Sequence, residues 1–360
     1  MKLQSKVKDY SLEFVDNVLH SRKDILEPLP YQGRYFFVDA KVYRQYQQDV
    51  LKDFIGSDKY CLIEAHEQNK EYGALAVYYR TLIESGFTRR DCLITIGGGI
   101  LQDISGFIAS TLYRGIPWVF IPTTLLAQAD SCIGSKTSIN FGNAKNLIGS
   151  FYPPDHIFVD VKFCDTLTAE DFNSGLGEII KYHLMADQEK YTLLKNYLSS
   201  ANLRDQKFLD PILRSSLEIK RSYFEGDEFD TGRRNLLNYG HCLGHALESA
   251  TNFSVSHGEA VIVGMGFANL LSLQRGILDK NLYDEMEALL RPHYPHLDFK
   301  TIPIDTIIHF LKKDKKRSGN NLTMIMTEGI GKQHKYDDVT EEEMGRSFKD
   351  FINQYPEIKS

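Results

Sequence analysis

The sequence predicts an α/β first half and a mostly α-helical second half in a chain of 360 residues. Up to about residue 163, short β-branched apolar runs alternate with stretches of helical pattern, which indicates βαβ units and a parallel sheet. Beyond that point apolar residues recur at helical spacing. A chain of this length suits two domains. We therefore expect domains at residues 1–163 and 164–360.

The predicted elements follow from local pattern and from turn residues. In the first half they are strands at 34–40 and 59–65, a helix at 75–86, a strand at 92–96, a helix that ends at Gly115 and a strand at 116–124. In the second half they are helices at 166–185, with Thr166 or Thr168 as N-cap, and at 209–228, 235–252 and 258–278. Residues 125–162 are rich in Gly, Ser and Asn and have no clear assignment, and such segments are often functional loops.

Composition excludes several classes of protein. The net charge of −6 argues against a general nucleic-acid binder. The five cysteines are widely spaced and form no CxxC, which favours a reducing compartment over a disulfide framework. The first residues contain no apolar signal segment, and no apolar run is long enough to span a membrane. We expect a cytoplasmic protein with no nucleic-acid or membrane partner.

Three glycines, Gly97-Gly98-Gly99, follow the strand at 92–96 and open a helix. Glycine allows close approach of the backbone to a ligand, and a helix N-terminus presents N–H groups to a phosphate. A tight turn without a ligand is the plain alternative. Asp103 lies in the first turn, where it either complements the helix dipole or holds a ribose or ring amide.

A carboxylate and three histidines form a candidate metal site: Glu178, His241, His245 and His257. His241 and His245 lie four residues apart on one predicted helix and share a face. Glu178 lies on another helix, and His257 is expected in a short loop. One carboxylate and two imidazoles would make a catalytic zinc-type site with a position left for substrate. Spacing does not decide which histidine is not a ligand.

Several cations lie among small polar residues, a pattern that suits a phosphate or carboxylate substrate. For each lysine the alternative is an ordinary solvated side chain. They are Lys136, Lys145 next to Asn146, Lys181, Lys220 and Arg234. The run at 312–317 is expected to be a solvated face.

Together these segments resemble one family, 3-dehydroquinate synthase and the related sugar-phosphate cyclases. The resemblance covers about residues 60 to 330. It rests on IGGGILQDISGFIASTLYRGIPWVFIPTTLLAQADSCIGSKTSIN, AKNLIGSFYPP, SGLGEIIKYHL and RRNLLNYGHCLGHALE followed by SHGEAV. It implies a Rossmann-like NAD-binding domain, a helical metal- and substrate-binding domain, and an active site in the cleft.

The resemblance also implies a role for individual residues. The metal ligands fall on Glu178, His241 and His257, which leaves His245 as a phosphate contact. The NAD motifs fall on Gly98, Gly99, Asp103, Thr123, Thr124 and Asp130. Lys136 and Lys145 are also expected to bind the cofactor, and Asp39, Glu67 and Lys70 are expected at its adenosine end. The substrate set falls on Lys136, Lys145, Asn146, Lys181, Lys220, Arg234, Asn238 and His245. Arg114 matches an arginine that reaches a neighbouring subunit, which implies a homodimer, and Lys315 or Lys316 is expected to close over the phosphate.

The family's reaction implies why the site is mixed. A seven-carbon keto acid phosphate is transiently oxidised by NAD, loses phosphate by β-elimination, is reduced again and closes by an intramolecular aldol step. A Zn2+ or Co2+ ion polarises the oxidised hydroxyl, and the lysines and Asn146 stabilise developing charge. The pathway is either aromatic amino acid biosynthesis through shikimate or a specialised route.

The chain departs from the family pattern at four points. Ser135, Ala144 and His183 each stand where the family usually has glycine. The loop between Lys136 and Ala144 also lacks a common proline. Because of these changes, a cyclase that makes 2-deoxy-scyllo-inosose or a valiolone-type product stays an alternative. Lys220, Arg234 and Asn238 favour a carboxylate substrate instead, because buried cations need an anion. A metal-dependent polyol dehydrogenase would carry aspartate at position 178, and a non-enzymatic scaffold would lack a ligand.

Overall fold

The computed structural model describes residues 1–46, 50–142, 144–313 and 321–355, in two compact units. Unit 1 comprises Met1–Leu167 and Lys220–Asp230, and unit 2 comprises Thr168–Ile219 and Thr231–Ser360. The sequence placed 164–360 in one domain. Ion pairs and hydrogen bonds join residues 220–230, which lie in that predicted domain, to residues of unit 1.

Unit 1 is built on a seven-stranded sheet in the order β1-β2-β9-β6-β5-β3-β4. All neighbouring pairs are parallel except β1 and β2. These strands are β1 (Lys2–Leu3), β2 (Tyr10–Phe14), β3 (Arg34–Asp39), β4 (Lys59–Ile63), β5 (Cys92–Gly97), β6 (Trp118–Pro122) and β9 (His156–Val159). A separate hairpin pairs β7 (Ile139–Phe141) with β8 (Ala144–Ile148).

The central strands of unit 1 are buried on both faces, which explains their continuous apolar sequences. Every residue of β5 and β6 is buried, whereas the edge strand β4 leaves most of its residues exposed or half-buried. The helices are α1 (Arg22–Ile25), α2 (Ala40–Tyr46), α3 (Val50–Ile55), α4 (Leu75–Glu84) and α5 (Gly99–Thr111). A π-helical turn spans Ala127–Ser131.

Unit 2 is mostly helical, and its described residues contain one antiparallel hairpin, β10 (Leu322–Thr327) with β11 (Gln333–Val339). Helix α8 (Gln206–Phe224) begins in unit 2 and ends in the segment that belongs to unit 1. The other helices are α6 (Ala169–Leu184), α7 (Gln188–Leu198), α9 (His241–Ala250), α10 (His257–Gln274), α11 (Lys280–Leu290), α12 (Ile304–Lys313) and α13 (Glu341–Gln354). Helix α10 is almost entirely buried, so it forms the centre of this unit.

The structure confirms the α/β class of the first half and the helical class of the second. It confirms the predicted strands at β3, β4, β5 and β6 and the helices α4 and α5. Thr168 rather than Thr166 caps α6, because its hydroxyl accepts from the backbone N–H of Asp171 at 3.1 Å. Strands β2 and β9 had no sequence assignment. No helix in the described ranges has the length and apolarity needed to cross a membrane.

Candidate metal and cofactor site

Helices α6 and α10 approach very closely at two glycines, Gly177 and Gly258. A Cβ on Gly177 would lie 2.3 Å from the carbonyl oxygen of Gly258, a distance that no side chain tolerates. Glu178 and His257 are the chain neighbours of these two glycines. The absence of side chains at the crossing therefore brings a carboxylate and an imidazole from distant parts of the sequence within reach of each other.

His241 enters the same region at the start of α9. Gly240 precedes it with a φ of +81°, and a Cβ there would lie 2.6 Å from the carbonyl oxygen of Val261. This turn therefore requires glycine. The Nδ1 atom of His241 lies 3.3 Å from the carbonyl oxygen of Tyr239, so Nε2 is the nitrogen left to face Glu178.

His257 is the first residue of α10 and does not lie in a loop as the sequence predicted. Glu259 accepts hydrogen bonds from the backbone N–H and the hydroxyl of Ser256, at 3.3 and 2.7 Å. This interaction satisfies a donor at the helix terminus and starts the helix at His257.

The three predicted metal ligands come together in unit 2. Oε1 of Glu178 lies 3.4 Å from Nε2 of His241 and 3.5 Å from Nε2 of His257. Glu178 is fully buried, and neither of its oxygens accepts a hydrogen bond of good geometry within the described residues. On the other side, Nζ of Lys181, one turn further along α6, lies 2.5 Å from Oε2.

The pKa values of this group reflect strong mutual interaction. Burial raises the pKa of Glu178, but the positive charge of Lys181 and the two imidazoles outweigh it and hold the pKa well below the ordinary value. Burial and Lys181 lower the pKa of His241 to about 4. Burial also opposes a charge on His257, but Glu178 and Glu248 raise its pKa to about 10.

The donor set fits a divalent metal. Bonds of about 2.0–2.1 Å to nitrogen and oxygen place two ligands of a tetrahedral ion about 3.3 Å apart. The measured separations of 3.4 and 3.5 Å match that spacing. One carboxylate and two imidazoles suit Zn2+ or Co2+ and leave coordination positions for other ligands.

His245, the third histidine, lies on the exposed side of α9. Its ring centroid is 5.3 Å from that of His241 and 5.9 Å from that of His257. It forms a second group of metal-capable side chains with Glu248 and His257. Spacing along the sequence left open which of the three histidines is not a metal ligand; in the structure the Nε2 atoms of His241 and His257 face the Glu178 carboxylate.

His183 is buried in unit 2 and does not line an open surface. Its Nδ1 lies 2.7 Å from the carbonyl oxygen of Ile179 and its Nε2 lies 2.9 Å from the hydroxyl of Ser215. Burial lowers its pKa to about 4. The departure from glycine at this position therefore fills space between α6 and α8.

The predicted cofactor turn lies in unit 1, where β5 passes into α5. Gly98 is the N-cap and carries no side chain to cap the helix, so the N–H groups of the first turn are open to a phosphate. A Cβ on Gly98 would lie 2.9 Å from a methyl carbon of Thr124. Thr123 is buried and its N–H donates to Gly97. These features fit the pyrophosphate of a dinucleotide.

A polar network connects predicted cofactor residues with a predicted substrate residue. Nζ of Lys70 lies 2.6 Å from the Asp103 carboxylate and donates to Oδ1 of Asn146 at 2.8 Å. Asn140 donates to Glu67 at 2.7 Å and accepts from the N–H of Asn146. Burial raises the pKa of Asp103 to about 6, although Lys70 opposes the shift.

Two more predicted residues pair with each other in unit 1. Nζ of Lys220 lies 2.6 Å from the carboxylate of Asp130, and it also donates to the backbone oxygen of that residue.

Asp39 ends β3, where its carboxylate accepts from the N–H of Lys41 at 2.8 Å. Burial raises the pKa of Asp39 despite the hydrogen bonds.

Two acidic residues, Glu228 and Asp230, interact with the loop that departs from the family pattern at Ser135. Lys136 pairs with Asp230 at 2.6 Å. Ser135, which replaces the usual glycine, has a φ of +64° and donates to the buried carboxylate of Glu228. The same carboxylate accepts from the hydroxyl of Ser5 at 2.7 Å and the N–H of Lys6 at 2.6 Å.

The other predicted site residues lie at a turn, on β8, at the start of α5 and on a 3-10 helix. Arg114 is exposed at a turn with a φ of +65°, Lys145 is exposed on β8, and Gly99 begins α5. Arg234 and Asn238 lie on a 3-10 helix just before α9, and Asn238 donates to the oxygen of Asn235. Lys315 and Lys316 lie outside the described residues.

Sequence reasoning did not identify Glu248, Glu228 or Asp230. Glu248 follows His245 by three residues on α9, so helical spacing places it on the same face. Glu228 and Asp230 carried no usable signal, because their partners Ser135 and Lys136 lie far away in the sequence.

Comparison with known proteins supports the same family over most of the chain. Residues 60–174 match the model of the 3-dehydroquinate synthase N-terminal domain, and residues 175–317 match that of the C-terminal domain. The 3-dehydroquinate synthase of Clostridium tetani (strain Massachusetts / E88) is 36% identical over 322 residues, which is 89% of this chain and 86% of that protein.

Solved structures agree on the fold. 2-epi-5-epi-valiolone synthase from Streptomyces hygroscopicus subsp. jinggangensis 5008, with NAD+ and Zn2+ bound, has a TM-score of 0.86 at 26% identity and covers 99% of both chains. A 2-deoxy-scyllo-inosose synthase complexed with carbaglucose-6-phosphate, NAD+ and Co2+ has a TM-score of 0.87 at 23% identity, covering 97% of this chain and 99% of that one. With both domain models matched and more than 30% identity across most of its length, this chain belongs to the 3-dehydroquinate synthase family.

Proposed function

We propose that the chain converts 3-deoxy-D-arabino-heptulosonate 7-phosphate to 3-dehydroquinate and phosphate, with NAD and a divalent metal as cofactors. The observation that carries the proposal is the buried Glu178 at 3.4 and 3.5 Å from two imidazoles, with Lys181 at its other oxygen. Membership of the family supplies the reaction.

Glu178, His241 and His257 would hold Zn2+ or Co2+. An ion bound there would act as a Lewis acid toward the substrate hydroxyl that is oxidised. Nζ of Lys181 lies 2.5 Å from the carboxylate, one turn along α6, so it is positioned to stabilise developing negative charge on the substrate.

Gly98, Gly99 and the first turn of α5 would hold the pyrophosphate of NAD, with Asp103 and Lys70 toward the ribose and ring. NAD held there would supply reversible hydride transfer, so the reaction would have no net redox change. Lys70 also donates to Asn146, and this hydrogen bond fixes the amide of a residue we assign to the substrate.

The substrate carries two anionic groups, and the chain offers cations for both. Lys136, Lys145 and Asn146 are assigned to the phosphate, together with His245. Lys220, Arg234 and Asn238 are assigned to the carboxylate. Arg234 is only 6% exposed, and a buried guanidinium selects for an anion that accepts two hydrogen bonds.

A specialised sugar-phosphate cyclase is the second candidate. The altered loop favours it, since Ser135 holds a left-handed conformation against Glu228 where the family usually has glycine. Such an enzyme would act on a sugar phosphate that has no carboxylate, such as glucose 6-phosphate or sedoheptulose 7-phosphate.

The two candidates are distinguished by phosphate release, measured with the keto acid phosphate and with the two sugar phosphates that lack a carboxylate. We expect turnover of the keto acid only, and Arg234→Ala should raise the KM for it by roughly 10- to 100-fold, since a hydrogen bond to a charged group is worth about 1.5–3 kcal/mol. The carboxylate assignment is contradicted if the protein turns over a sugar phosphate without a carboxylate and Arg234→Ala leaves that turnover unchanged. Lys207→Ala, a lysine that contacts the exposed ring of Phe208, is the matched control.

We further propose a homodimer in which Arg114 reaches the substrate phosphate of the neighbouring subunit. Its exposed side chain and its left-handed backbone conformation, next to Tyr113 with a φ of +52°, support a role that local packing does not explain.

Cysteine usage supports a cytoplasmic protein. All five cysteines are free thiols, and four of them are buried.

A further inference from the structure

Glu248 lies behind the metal ligand His257. Its Oε2 is 3.2 Å from Nδ1 of His257, while Nε2 of the same ring is 3.5 Å from Oε1 of Glu178. The two nitrogens of one imidazole thus face two different carboxylates. Glu248 is 15% exposed, so its carboxylate is largely screened from water.

The tautomer of His257 follows from this arrangement. A neutral imidazole has one N–H and one lone pair. Glu178 and Glu248 both accept only, and a metal ion shared with Glu178 and His241 would take the lone pair of Nε2, so the single N–H of the neutral ring would lie on Nδ1 and donate to Glu248. His241 shows the same pattern, with Nδ1 directed at the backbone oxygen of Tyr239.

We propose that Glu248 is the positioning carboxylate of the metal centre, which fixes the ring orientation and tautomer of His257. This inference rests on the proposed metal site. Glu248 acts through His257 and does not touch the substrate. Carboxylate partners of this kind increase the basicity of a ligating histidine and tighten metal binding.

A second metal ion is the competing interpretation, because His245, Glu248 and His257 each offer a ligand atom, and these three atoms lie within 4.8 Å of one another. Two ions would need His257 to give up its last N–H and bridge them as an anion. Removing the N–H of a neutral imidazole requires a strong base. The hydrogen bond to Glu248 requires no such deprotonation, because it uses the N–H. We therefore expect one ion per chain.

The test measures zinc affinity by competition with a chelator, together with the number of ions per chain and the absorption spectrum of the Co2+ form. The variants are Glu248→Ala and Glu248→Gln, with Glu285→Gln as control, because Glu285 pairs with Lys195 and Tyr191 at the surface of unit 2. Circular dichroism checks that each variant is folded.

We expect Glu248→Ala to bind zinc 10- to 100-fold more weakly. Glu248→Gln keeps an oxygen that accepts from Nδ1, so its loss should be smaller, and its Co2+ spectrum should stay nearer that of the wild-type protein. Glu285→Gln should match the wild-type protein in both measurements.

Three results would overturn the inference. Wild-type protein that binds one ion tightly, with both Glu248 variants equally tight, removes the role of Glu248 and leaves the metal site standing. Two ions per wild-type chain, one of them lost in Glu248→Ala, makes Glu248 a ligand. Wild-type protein that binds no ion overturns the proposed metal centre and Glu248 with it.

Discussion

Burial keeps the imidazole of His183 neutral at a pH where an exposed histidine is protonated, since its pKa falls to about 4. In the unfolded chain the ring titrates near 6.5, so below that pH the unfolded state binds a proton that the folded state does not. Stability should therefore fall as pH drops from about 6.5 to about 4, by up to roughly 3 kcal/mol.

Urea unfolding at pH 7 and pH 4.5 measures this effect. The loss of stability between the two pH values should be smaller in His183→Asn than in the wild-type protein. His66→Asn, which changes an exposed histidine, should leave the loss as it is. An equal loss in His183→Asn and the wild-type protein would refute the assignment of the acid sensitivity to His183.

Glu228 ties three donors from two distant segments to one buried carboxylate. In Glu228→Gln an amide N–H₂ replaces an accepting oxygen and faces donors, which leaves buried polar groups without partners. We expect a loss of about 1–3 kcal/mol in the free energy of unfolding. The exposed pair of Glu64 with Arg44 provides the control, because Glu64→Gln should cost less than about 1 kcal/mol. Equal losses in the two variants would mean that Glu228 does not anchor the loop.

At the scale of elements, the sequence predicted those that have a strong periodic pattern. The apolar runs of β3, β5 and β6 and the helices α4 and α10 are long enough for burial to dominate local preference. Strands β2 and β9 have five and four residues, and their pairing in the sheet stabilises them through contacts that no local pattern records. The start of α10 was misplaced past His257 because the capping pair Ser256 and Glu259 was not recognised.

The crossing of α6 and α10 gives the sharpest prediction at this scale. Gly177→Ala places a methyl group 2.3 Å from a backbone oxygen, so the helices must separate. Overpacking of this kind costs about 1–3 kcal/mol, and separation moves Glu178 away from His257. We expect both lower stability and weaker zinc binding.

Gly345→Ala in α13 is the matched control. A Cβ there meets nothing within 4 Å, so alanine should stabilise the helix by about 0.5–1 kcal/mol and leave zinc binding unchanged. Melting curves and zinc competition report the two effects separately. Wild-type zinc affinity in Gly177→Ala would show that the glycine crossing does not position the ligands.

At the scale of the whole molecule, the candidate site was partly predictable. Residue types and family motifs predicted Glu178, His241 and His257, and the structure brings them together from three helices. The hydrogen bond between Lys70 and Asn146 and the contact of Glu248 with His257 were not predictable, because both depend on tertiary packing. Spacing along the chain carries no record of such contacts.

The proposed dimer leads to a complementation experiment. Arg114→Ala and Lys181→Ala should each be nearly inactive alone. If Arg114 serves the neighbouring subunit, a mixed dimer has one site with both residues intact, so random mixing should restore about a quarter of wild-type activity. Sedimentation velocity checks that the mixed species is a dimer. Mixtures that stay as inactive as the separate variants would contradict a shared site.

The central claim is that this chain closes a keto acid phosphate into a carbocycle without net oxidation. The most direct measurement incubates the purified protein with 3-deoxy-D-arabino-heptulosonate 7-phosphate, NAD+ and Zn2+ or Co2+, and follows phosphate, cyclic product and NADH together. We predict one phosphate for each 3-dehydroquinate formed, no accumulated NADH, and no turnover in Glu178→Gln. Accumulating NADH without phosphate release, or turnover of glucose 6-phosphate or sedoheptulose 7-phosphate alone, would contradict the claim.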